Sequence, residues 1–340
     1  MALPTESQDL LSAWRALAGD TENPGWRTIP VATDSACRLM AGRHFPDNAE
    51  ALLVNFPSIR LPPPDRLPQG RGFGVARAEL GVAEGGSGAW VALSRQPSGT
   101  LDLFSLMAND IISTVQASSA ADEGLFQLFL ARIRAWQDFM GRDGGLVLAA
   151  EAEVGLFGEL AMLGDLLDAG VPARIVVESW RGPADGLHDF VFGIGAIEVK
   201  STVTAGGFPA TVGSLEQLDD SLVTPLYLGA FRLAIEPTGR TLPARVAEIR
   251  NRLRVAPASR SEFDNRLVRV GFFDAWAQSY GRRFVRVDSR LLVVGEDFPR
   301  LTSANVGRPI RKARYEIDLD LVSAPSMSLA EVLAELGVIS

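Results

Sequence analysis

Cysteine, histidine and lysine are all scarce in this chain of 340 residues. The single cysteine, Cys37, cannot form an internal disulfide, which predicts a reducing compartment. Zinc-ligand spacings, Walker-type phosphate loops and dinucleotide-binding glycine motifs are also lacking. A zinc finger, an ATPase and a dehydrogenase therefore have no support in the sequence.

Long hydrophobic runs are missing as well. The composition, 47% hydrophobic and 22% charged residues, allows a full buried core. Acids interrupt the longest apolar stretches, which argues against a membrane span, and the first residues lack the basic and apolar regions of a signal peptide. We therefore expect a cytoplasmic protein without a membrane partner.

Charge is distributed unevenly along the chain. The net charge is −8, but residues 240–314 carry +10 and the remaining residues −18. The basic segment either forms a cationic surface that binds phosphates or consists of solvated helix faces and ion pairs. If the first alternative holds, Arg245 and Arg252, seven residues apart on a predicted helix over 241–254, are candidate contacts to nucleic acid.

Lysine is much rarer than arginine: the chain has two lysines, Lys200 and Lys312, against 31 arginines. Lysine is a compact point charge that can lose its proton in a tuned environment, which arginine cannot do. Lys200 closes the segment Asp189-Phe-Val-Phe-Gly-Ile-Gly-Ala-Ile-Glu198-Val-Lys200. An acid, a hairpin-like gap and Glu-x-Lys at strand spacing are typical of metal-dependent phosphodiester cleavage.

The spacing of this segment predicts a shared site. Side chains two apart on a strand share a face, so Glu198 and Lys200 should point the same way, and glycines 193 and 195 would allow the reversal that brings Asp189 alongside. The two carboxylates could hold Mg²⁺, which would activate a water and stabilise the developing charge. Lys200 could orient that water. The alternative is a surface cross-strand ion pair.

A second acid is predicted near this segment. Glu159 lies on a predicted helix, and its neighbours three and four positions away are Gly155, Leu156, Met162 and Leu163. An acid on an apolar helix face is unfavourable unless it meets a partner or a metal. Glycines 155 and 158 indicate close packing against another backbone. The alternative is a glutamate at the rim of the apolar stripe that extends into solvent.

Periodicity predicts an α/β protein with a mixed sheet. Residues 30–105 look strand-like and residues 105–141 helical. Further along we predict helices over 146–167, 242–253 and 329–336, a strand pair around the two glycines, and strands over 174–180, 222–235, 284–294 and 314–321.

Several motifs together resemble a known group of enzymes. They are Gly155-Leu-Phe-Gly-Glu159-Leu, Trp180-Arg-Gly-Pro, Asp189-Phe, Glu198-Val-Lys200-Ser-Thr, Ser214-Leu-Glu-Gln217-Leu, Phe298-Pro-Arg300-Leu and Tyr315-Glu-Ile-Asp-Leu. This set resembles the PD-(D/E)XK nuclease superfamily. More narrowly it is similar to a bacterial family often encoded beside DNA methyltransferase and helicase-like ATPase genes of restriction or phage-defence systems. The resemblance covers most of the chain, most specifically residues 150–220 and 290–320.

The resemblance implies a fold and a division of the chain. It implies a restriction-endonuclease-like α/β/α core with a mixed central sheet over residues 121–240. A mainly β accessory region over residues 1–120 would precede the core, and an arginine-rich α+β region over residues 241–340 would follow it.

The resemblance also implies roles for individual residues. The expected metal ligands for Mg²⁺ or Mn²⁺ are Asp189, Glu198 and Val199. Lys200 would be the catalytic lysine, Glu159 an auxiliary acid and Gln217 a helix residue facing the site. The expected nucleic-acid contacts are Ser201 and Ser214, in addition to Arg245 and Arg252, which are candidates from the charge pattern alone.

Two positions depart from the expected pattern. His188 stands where the name-giving proline of the superfamily would precede the acid, and this leaves the ligand intact. Residues 202–212 lack the histidine or basic residue expected ahead of Ser214, which puts a phosphate contact there in doubt.

Three functions stay open at this point. The first is a Mg²⁺-dependent DNA endonuclease subunit, with DNA and defence-system proteins as partners and a homodimer as a further candidate assembly. The second is a non-catalytic DNA-binding or scaffolding subunit that retains the fold. The third is a small-molecule enzyme that uses a Glu–Lys pair, although no cofactor motif supports it.

Overall fold

The computed structural model describes residues 5–19, 24–32, 37–80, 88–120, 122–141, 145–182, 186–204 and 206–338. The chain forms two compact units, Met1–Gly144 and Gly145–Ser340. The sequence expectation placed boundaries at 120 and 240 instead. The difference has two causes: Phe126 and Phe129 pack edge-on against Phe56 of the first unit, and the strand Phe284–Val293 pairs within the central sheet of the second.

The first unit is built on a six-stranded antiparallel sheet, in the order β1-β2-β3-β6-β5-β4. Its strands are β1 (Gly25–Ala32), β2 (Leu39–Phe45), β3 (Ala49–Phe56), β4 (Gln69–Gly70), β5 (Phe73–Ala78) and β6 (Ala89–Arg95). Its helices are α1 (Thr5–Leu17), α2 (Leu101–Gln116) and α3 (Asp122–Met140), with a 3₁₀ turn at Pro64–Arg66. The sheet predicted for the N-terminal region is present, and three helices accompany it in this unit.

The second unit is built on a four-stranded mixed sheet in the order β11-β10-β8-β7. Strands β8 and β10 are parallel, while β7 and β11 pair antiparallel with their neighbours. The strands are β7 (Phe190–Val191), β8 (Ala196–Thr202), β9 (Pro209–Val212), β10 (Leu226–Arg240), β11 (Phe284–Val293) and β12 (Tyr315–Asp318). Strands β9 and β12 form a separate antiparallel pair. The predicted mixed sheet is confirmed.

Helices cover one face of this sheet. They are α4 (Ala150–Asp168), α5 (Ala173–Ser179), α6 (Leu242–Arg252), α7 (Pro257–Val270) and α8 (Leu329–Glu335), with 3₁₀ turns at Leu253–Val255, Asp274–Ser279 and Leu319–Leu321. Ile197 and Val199 of β8 pack into the core under these helices, and Ala196 packs on the opposite face beneath β9 and β12. The chain therefore has the restriction-endonuclease-like α/β fold.

One strand was predicted wrongly. The β-branched run at residues 174–180 was expected to be a strand, but it forms helix α5. Pro172 stands just before the first helical residue, where its missing N–H removes no helical hydrogen bond. Val176 and Val177 are buried in the core, so packing outweighs the modest strand preference of β-branched residues. Within the described residues, no helix is long and apolar enough to cross a membrane.

Candidate functional site

The site forms where strand β7 ends beside β8. Strand β7 pairs with β8 at Ala196 and Ile197 and forms a bridge to Trp180 through Phe190. A tight turn precedes β8, in which Phe192 N–H donates to the Gly195 carbonyl at 2.8 Å. Gly195 has no room for a side chain, because a Cβ there would lie 2.4 Å from the Pro225 carbonyl oxygen. The predicted reversal is therefore present.

Asp189 occupies the edge of β8 that β7 leaves open. Its Oδ2 accepts a hydrogen bond from the Val199 N–H at 2.7 Å. The carboxylate thus takes the position that a carbonyl of a neighbouring strand would occupy. This bond fixes Asp189 beside β8 and orients it toward the same cavity that Glu198 and Lys200 line.

Glu198 and Lys200 share a face of β8, as the strand spacing predicts. Lys200 Nζ lies 2.7 Å from Glu198 Oε1 and donates to Gln217 Oε1 at 3.1 Å. Glu198 is only 2% exposed, so the pair is not a surface cross-strand ion pair. Its second oxygen, Oε2, is buried and meets no hydrogen-bond partner among the described residues. A buried carboxylate oxygen without a donor favours a cation as its partner.

Glu159 reaches the cluster from helix α4. It is buried, its Oε2 accepts a hydrogen bond from Trp180 Nε1 at 2.8 Å, and it lines the same cavity. Helix α4 lies close to β8 at Gly158, where an added Cβ would lie 1.6 Å from Ser201 Oγ. Close packing at Gly158 is therefore present, although against the Ser201 side chain rather than the predicted backbone, whereas Gly155 faces open space in the cavity.

Burial and mutual repulsion disturb the protonation of the three acids. Burial and the neighbouring Asp189 raise the pKa of Glu198 to about 8, although Lys200 opposes the shift. Burial raises the pKa of Asp189 to about 6, against the lowering effect of the Val199 N–H and Lys200. Burial, Asp189 and Glu198 raise the pKa of Glu159 well above its usual range. The metal-free cluster therefore retains protons near neutral pH, which a bound cation would displace.

The cavity can accommodate a hard cation with its waters. It has a volume of about 620 Å³ and is lined by Glu159, Asp189, Glu198, Val199, Lys200, Ser201, Gln217, Arg282, Arg314 and Glu316, among others. No group of three or more acids, histidines or cysteines surrounds one ion position in the described ranges. Mg²⁺ is commonly held by one or two carboxylates and several waters, so Asp189 and Glu198 suffice. The Val199 side chain packs in the core, which leaves its main-chain carbonyl as its only ligand atom.

Gln217 lies in a turn rather than on the predicted helix. Helix formation fails there because local side chains bond the backbone instead: Ser214 Oγ accepts from Glu216 N and Asp219 Oδ1 accepts from Ser221 N. Gln217 Oε1 nevertheless accepts from Lys200 Nζ and from the Gly213 N–H. Gln217 therefore contacts the site as predicted, but from a turn rather than from a helix.

Ser201 and Ser214 differ in position. Ser201 lines the cavity, and its hydroxyl is buried without a hydrogen-bond partner within the described chain. Ser214 engages in its own turn and is not among the residues around the cavity. Only Ser201 is therefore placed to contact a molecule in the site.

The structure corrects the positions expected for Arg245 and Arg252. Arg245 is buried, and its guanidinium donates to the carbonyls of Leu160 and Ala161 and pairs with Glu248. Arg252 donates to the Gly164 carbonyl and pairs with Glu248 and Asp168. The expected phosphate contact at Arg245 is wrong, because its donors are used to join α6 to α4. Gly164 leaves room for the Arg245 guanidinium, since a Cβ added at Gly164 would lie 2.2 Å from Arg245 Nη2.

Three other residues contribute to the site, and sequence reasoning assigned no role to two of them, Trp180 and Arg282. Trp180 donates a hydrogen bond to Glu159. The Trp180-Arg-Gly-Pro motif drew attention to this tryptophan but did not indicate its role, and Pro183 of the motif lies outside the described residues. His188 lies beside Asp189 and donates to the Gln217 carbonyl at 3.1 Å, and burial lowers the pKa of its imidazole. Arg282 lines the cavity and pairs with Glu153 at 2.6 Å, a contact between distant segments that no local pattern reveals.

Comparison with known proteins agrees with this geometry. No curated protein and no solved structure matches the chain significantly. Residues 10–320 match the sequence model of a family described as "Putative PD-(D/E)XK family member, (DUF4420)". PD-(D/E)XK proteins are generally nucleases, which hydrolyse phosphodiester bonds and typically use divalent metals such as Mg²⁺. Because the match spans nearly the whole chain, this protein belongs to the DUF4420 family of the PD-(D/E)XK group.

Proposed function

We propose that this protein is a metal-dependent endonuclease that hydrolyses phosphodiester bonds of DNA, as a subunit of a restriction or phage-defence system. The observation that carries the proposal is the buried Asp189–Glu198–Lys200 cluster, in which one carboxylate oxygen lacks any donor among described residues. A structural cluster would be expected to satisfy that oxygen, since an unpaired buried polar atom destabilises the fold.

Asp189 and Glu198 are the residues that would hold Mg²⁺ or Mn²⁺. When bound, such an ion polarises a phosphate oxygen and lowers the pKa of a coordinated water. Lys200 supplies the positive charge next to the reacting phosphate. Glu198 and Gln217 hold its ammonium group from two sides, so it is oriented before substrate arrives.

The surrounding residues support these roles. Glu159, fixed by Trp180, adds a third carboxyl group to the cavity, where it would hold a water by a hydrogen bond and, once deprotonated, would accept a proton. His188 anchors the Gln217 turn and thereby the amide that contacts Lys200. The apolar core between the helices and the sheet lies next to the site, and its low polarity strengthens the electrostatic interactions there.

The direct test is cleavage of supercoiled plasmid DNA with Mg²⁺ or Mn²⁺, with and without the products of neighbouring genes. Asp189→Asn and Lys200→Ala should abolish cleavage, and Asp297→Asn, which changes an exposed acid away from the cavity, should retain it. Isothermal titration calorimetry provides a readout independent of activity: Asp189→Asn should lose Mg²⁺ binding. DNA binding without any metal-dependent cleavage would favour the non-catalytic scaffolding role instead.

A further inference from the structure

The segment that precedes β12 carries an unusual surface. Residues 302–314 contain four cationic side chains, Arg308, Arg311, Lys312 and Arg314, and no acid. All four side chains are exposed, and none forms an ion pair or hydrogen bond with a described residue. We call residues 302–314 the basic loop.

The arginines that precede the basic loop are mostly neutralised. Between residues 240 and 300, the ion-paired arginines are Arg240, Arg245, Arg250, Arg252, Arg260, Arg266, Arg269, Arg282, Arg286, Arg290 and Arg300. The excess of positive charge that the sequence shows over 240–314 is therefore available mainly at the end of that segment.

The basic loop is ordered and adjoins the candidate active site. The Tyr315 hydroxyl accepts from the Leu301 N–H at 3.0 Å and so ties the two ends of the loop together. Within the loop, Asn305 Oδ1 accepts from the Thr302 N–H at 2.8 Å. Arg314 lines the same cavity as Asp189, Glu198 and Lys200. One cation of the basic loop, Arg314, therefore lies at the cavity of the carboxylates, and the other three precede it within six residues of the chain.

We propose that the basic loop binds backbone phosphates of duplex DNA and positions one strand over Asp189 and Glu198. This inference rests on the proposed function, since it assigns the surface that holds the substrate. An acidic body repels a polyanion, so phosphate contacts require cations that no carboxylate already neutralises. Arg308, Arg311 and Lys312 would contact successive phosphates outside the cavity, and Arg314 the phosphate at its entrance.

The experiment is fluorescence anisotropy of labelled duplex DNA with the full chain, in chelator and in Ca²⁺, over a series of salt concentrations. The loop variant changes Arg308, Arg311, Lys312 and Arg314 to Gln. The control variant changes Arg60, Arg66, Arg134 and Arg254 to Gln. These four are also exposed, without a partner in the described chain and away from the cavity, so both variants lose the same charge.

We expect the loop variant to bind duplex DNA at least about tenfold more weakly, while the control variant binds close to the unchanged protein. The slope of log affinity against log salt should fall by about 0.9 for each lost phosphate contact. Circular dichroism and melting temperature would confirm that both variants fold. Loss of cleavage should accompany loss of affinity, with Mg²⁺ binding retained in the calorimeter.

Three results would overturn the inference. The first is that the loop and control variants bind with equal affinities and equal salt slopes. The second is that the unchanged protein does not bind duplex DNA, and the third is that the loop binds RNA or anionic phosphatidylserine vesicles in preference to DNA. None of them decides the proposed function, because Mg²⁺ binding and plasmid cleavage are measured separately on Asp189→Asn. Conversely, if the unchanged protein binds DNA through the basic loop but never cleaves it, the proposed hydrolase activity is refuted and the proposed DNA-binding role of the loop stands.

Discussion

Two buried glutamates on strands, Glu50 in the first unit and Glu198 in the second, show how a structural acid differs from a candidate catalytic one. Glu50 lies on β3, and its two oxygens pair with Arg43 and Arg95, each at 2.7 Å. Glu198 lies on β8, with one oxygen paired to Lys200 and the other without a donor in the described residues.

The pKa values of the two acids move in opposite directions for that reason. Burial alone would raise the pKa of Glu50, but Arg95 and Arg43 lower it overall. Burial and Asp189 raise the pKa of Glu198 to about 8, and Lys200 cannot offset them. Burial by itself therefore does not distinguish a functional acid. What distinguishes it is whether cationic partners compensate the charge of the carboxylate, and substitution of the two glutamates can test this difference.

The largest expected effect is on cleavage. Glu198→Gln keeps the shape of the side chain and removes the charge that would hold the cation, so we expect metal-dependent DNA cleavage to fall by about 1,000-fold. Glu50→Gln should leave cleavage per folded molecule unchanged, because Glu50 lies in the other unit. Rates from plasmid nicking at saturating Mg²⁺ would measure both. An equal loss of cleavage rate in the two variants would contradict the assignment of Glu198 as catalytic and Glu50 as structural.

Stability should respond in the reverse order. Glu50→Gln leaves Arg43 and Arg95 with a neutral partner in a mostly buried site, which should lower the free energy of unfolding by about 3 kcal/mol. Glu198→Gln, measured without metal at pH 8, should be neutral or stabilising, because it removes repulsion with Asp189. Urea denaturation of both variants gives the values. A strongly destabilised metal-free Glu198→Gln would mark Glu198 as a structural partner of Lys200.

The same comparison applies to two arginines of the second unit. Arg245→Ala should lower the free energy of unfolding by about 3 kcal/mol, because the carbonyls of Leu160 and Ala161 and the carboxylate of Glu248 lose a buried donor. Arg314→Ala should change stability by less than about 0.5 kcal/mol, since its side chain has no partner in the described part of the chain. Thermal melts of the two variants side by side would show the contrast.

The last expected effect is a pH dependence of stability that metal suppresses. The pKa values of Glu198 (about 8) and Asp189 (about 6) lie above their ordinary values. The metal-free folded state therefore binds more protons than the unfolded chain from about pH 4 to pH 8. Stability from these groups is present at low pH and declines as pH rises through that window.

Mg²⁺ should counter this decline, because it neutralises the deprotonated cluster. Melting temperature should rise more on Mg²⁺ addition at pH 8.5 than at pH 5.5. The Asp189→Asn/Glu198→Gln double variant should lose the Mg²⁺ effect and keep only the part of the pH trend that buried Glu159 contributes. A Mg²⁺ shift that persists in the double variant would place the metal elsewhere.

Local patterns were sufficient for much of the second unit. Strand β8, helix α4 and helix α6 follow from hydrophobic periodicity, and the shared face of Glu198 and Lys200 follows from the two-residue repeat of a strand. Helix α5 and the Gln217 turn could not be predicted in this way. Burial of Val176 and Val177 decided the first, and side-chain bonds from Ser214 and Asp219 decided the second.

By itself, the sequence determined which residues are candidates for the chemistry: a rare lysine, a glutamate at strand spacing from it, an aspartate before the glycine-containing turn and a further acid on an apolar helix face. Only the tertiary structure decided which charges are free to act. Arg245 and Arg314 look equivalent along the chain, yet one is buried against α4 and the other faces the cavity without a partner among described residues. The physical reason is that the properties of a charge depend on its solvation and its partners, and distant segments of the fold supply both.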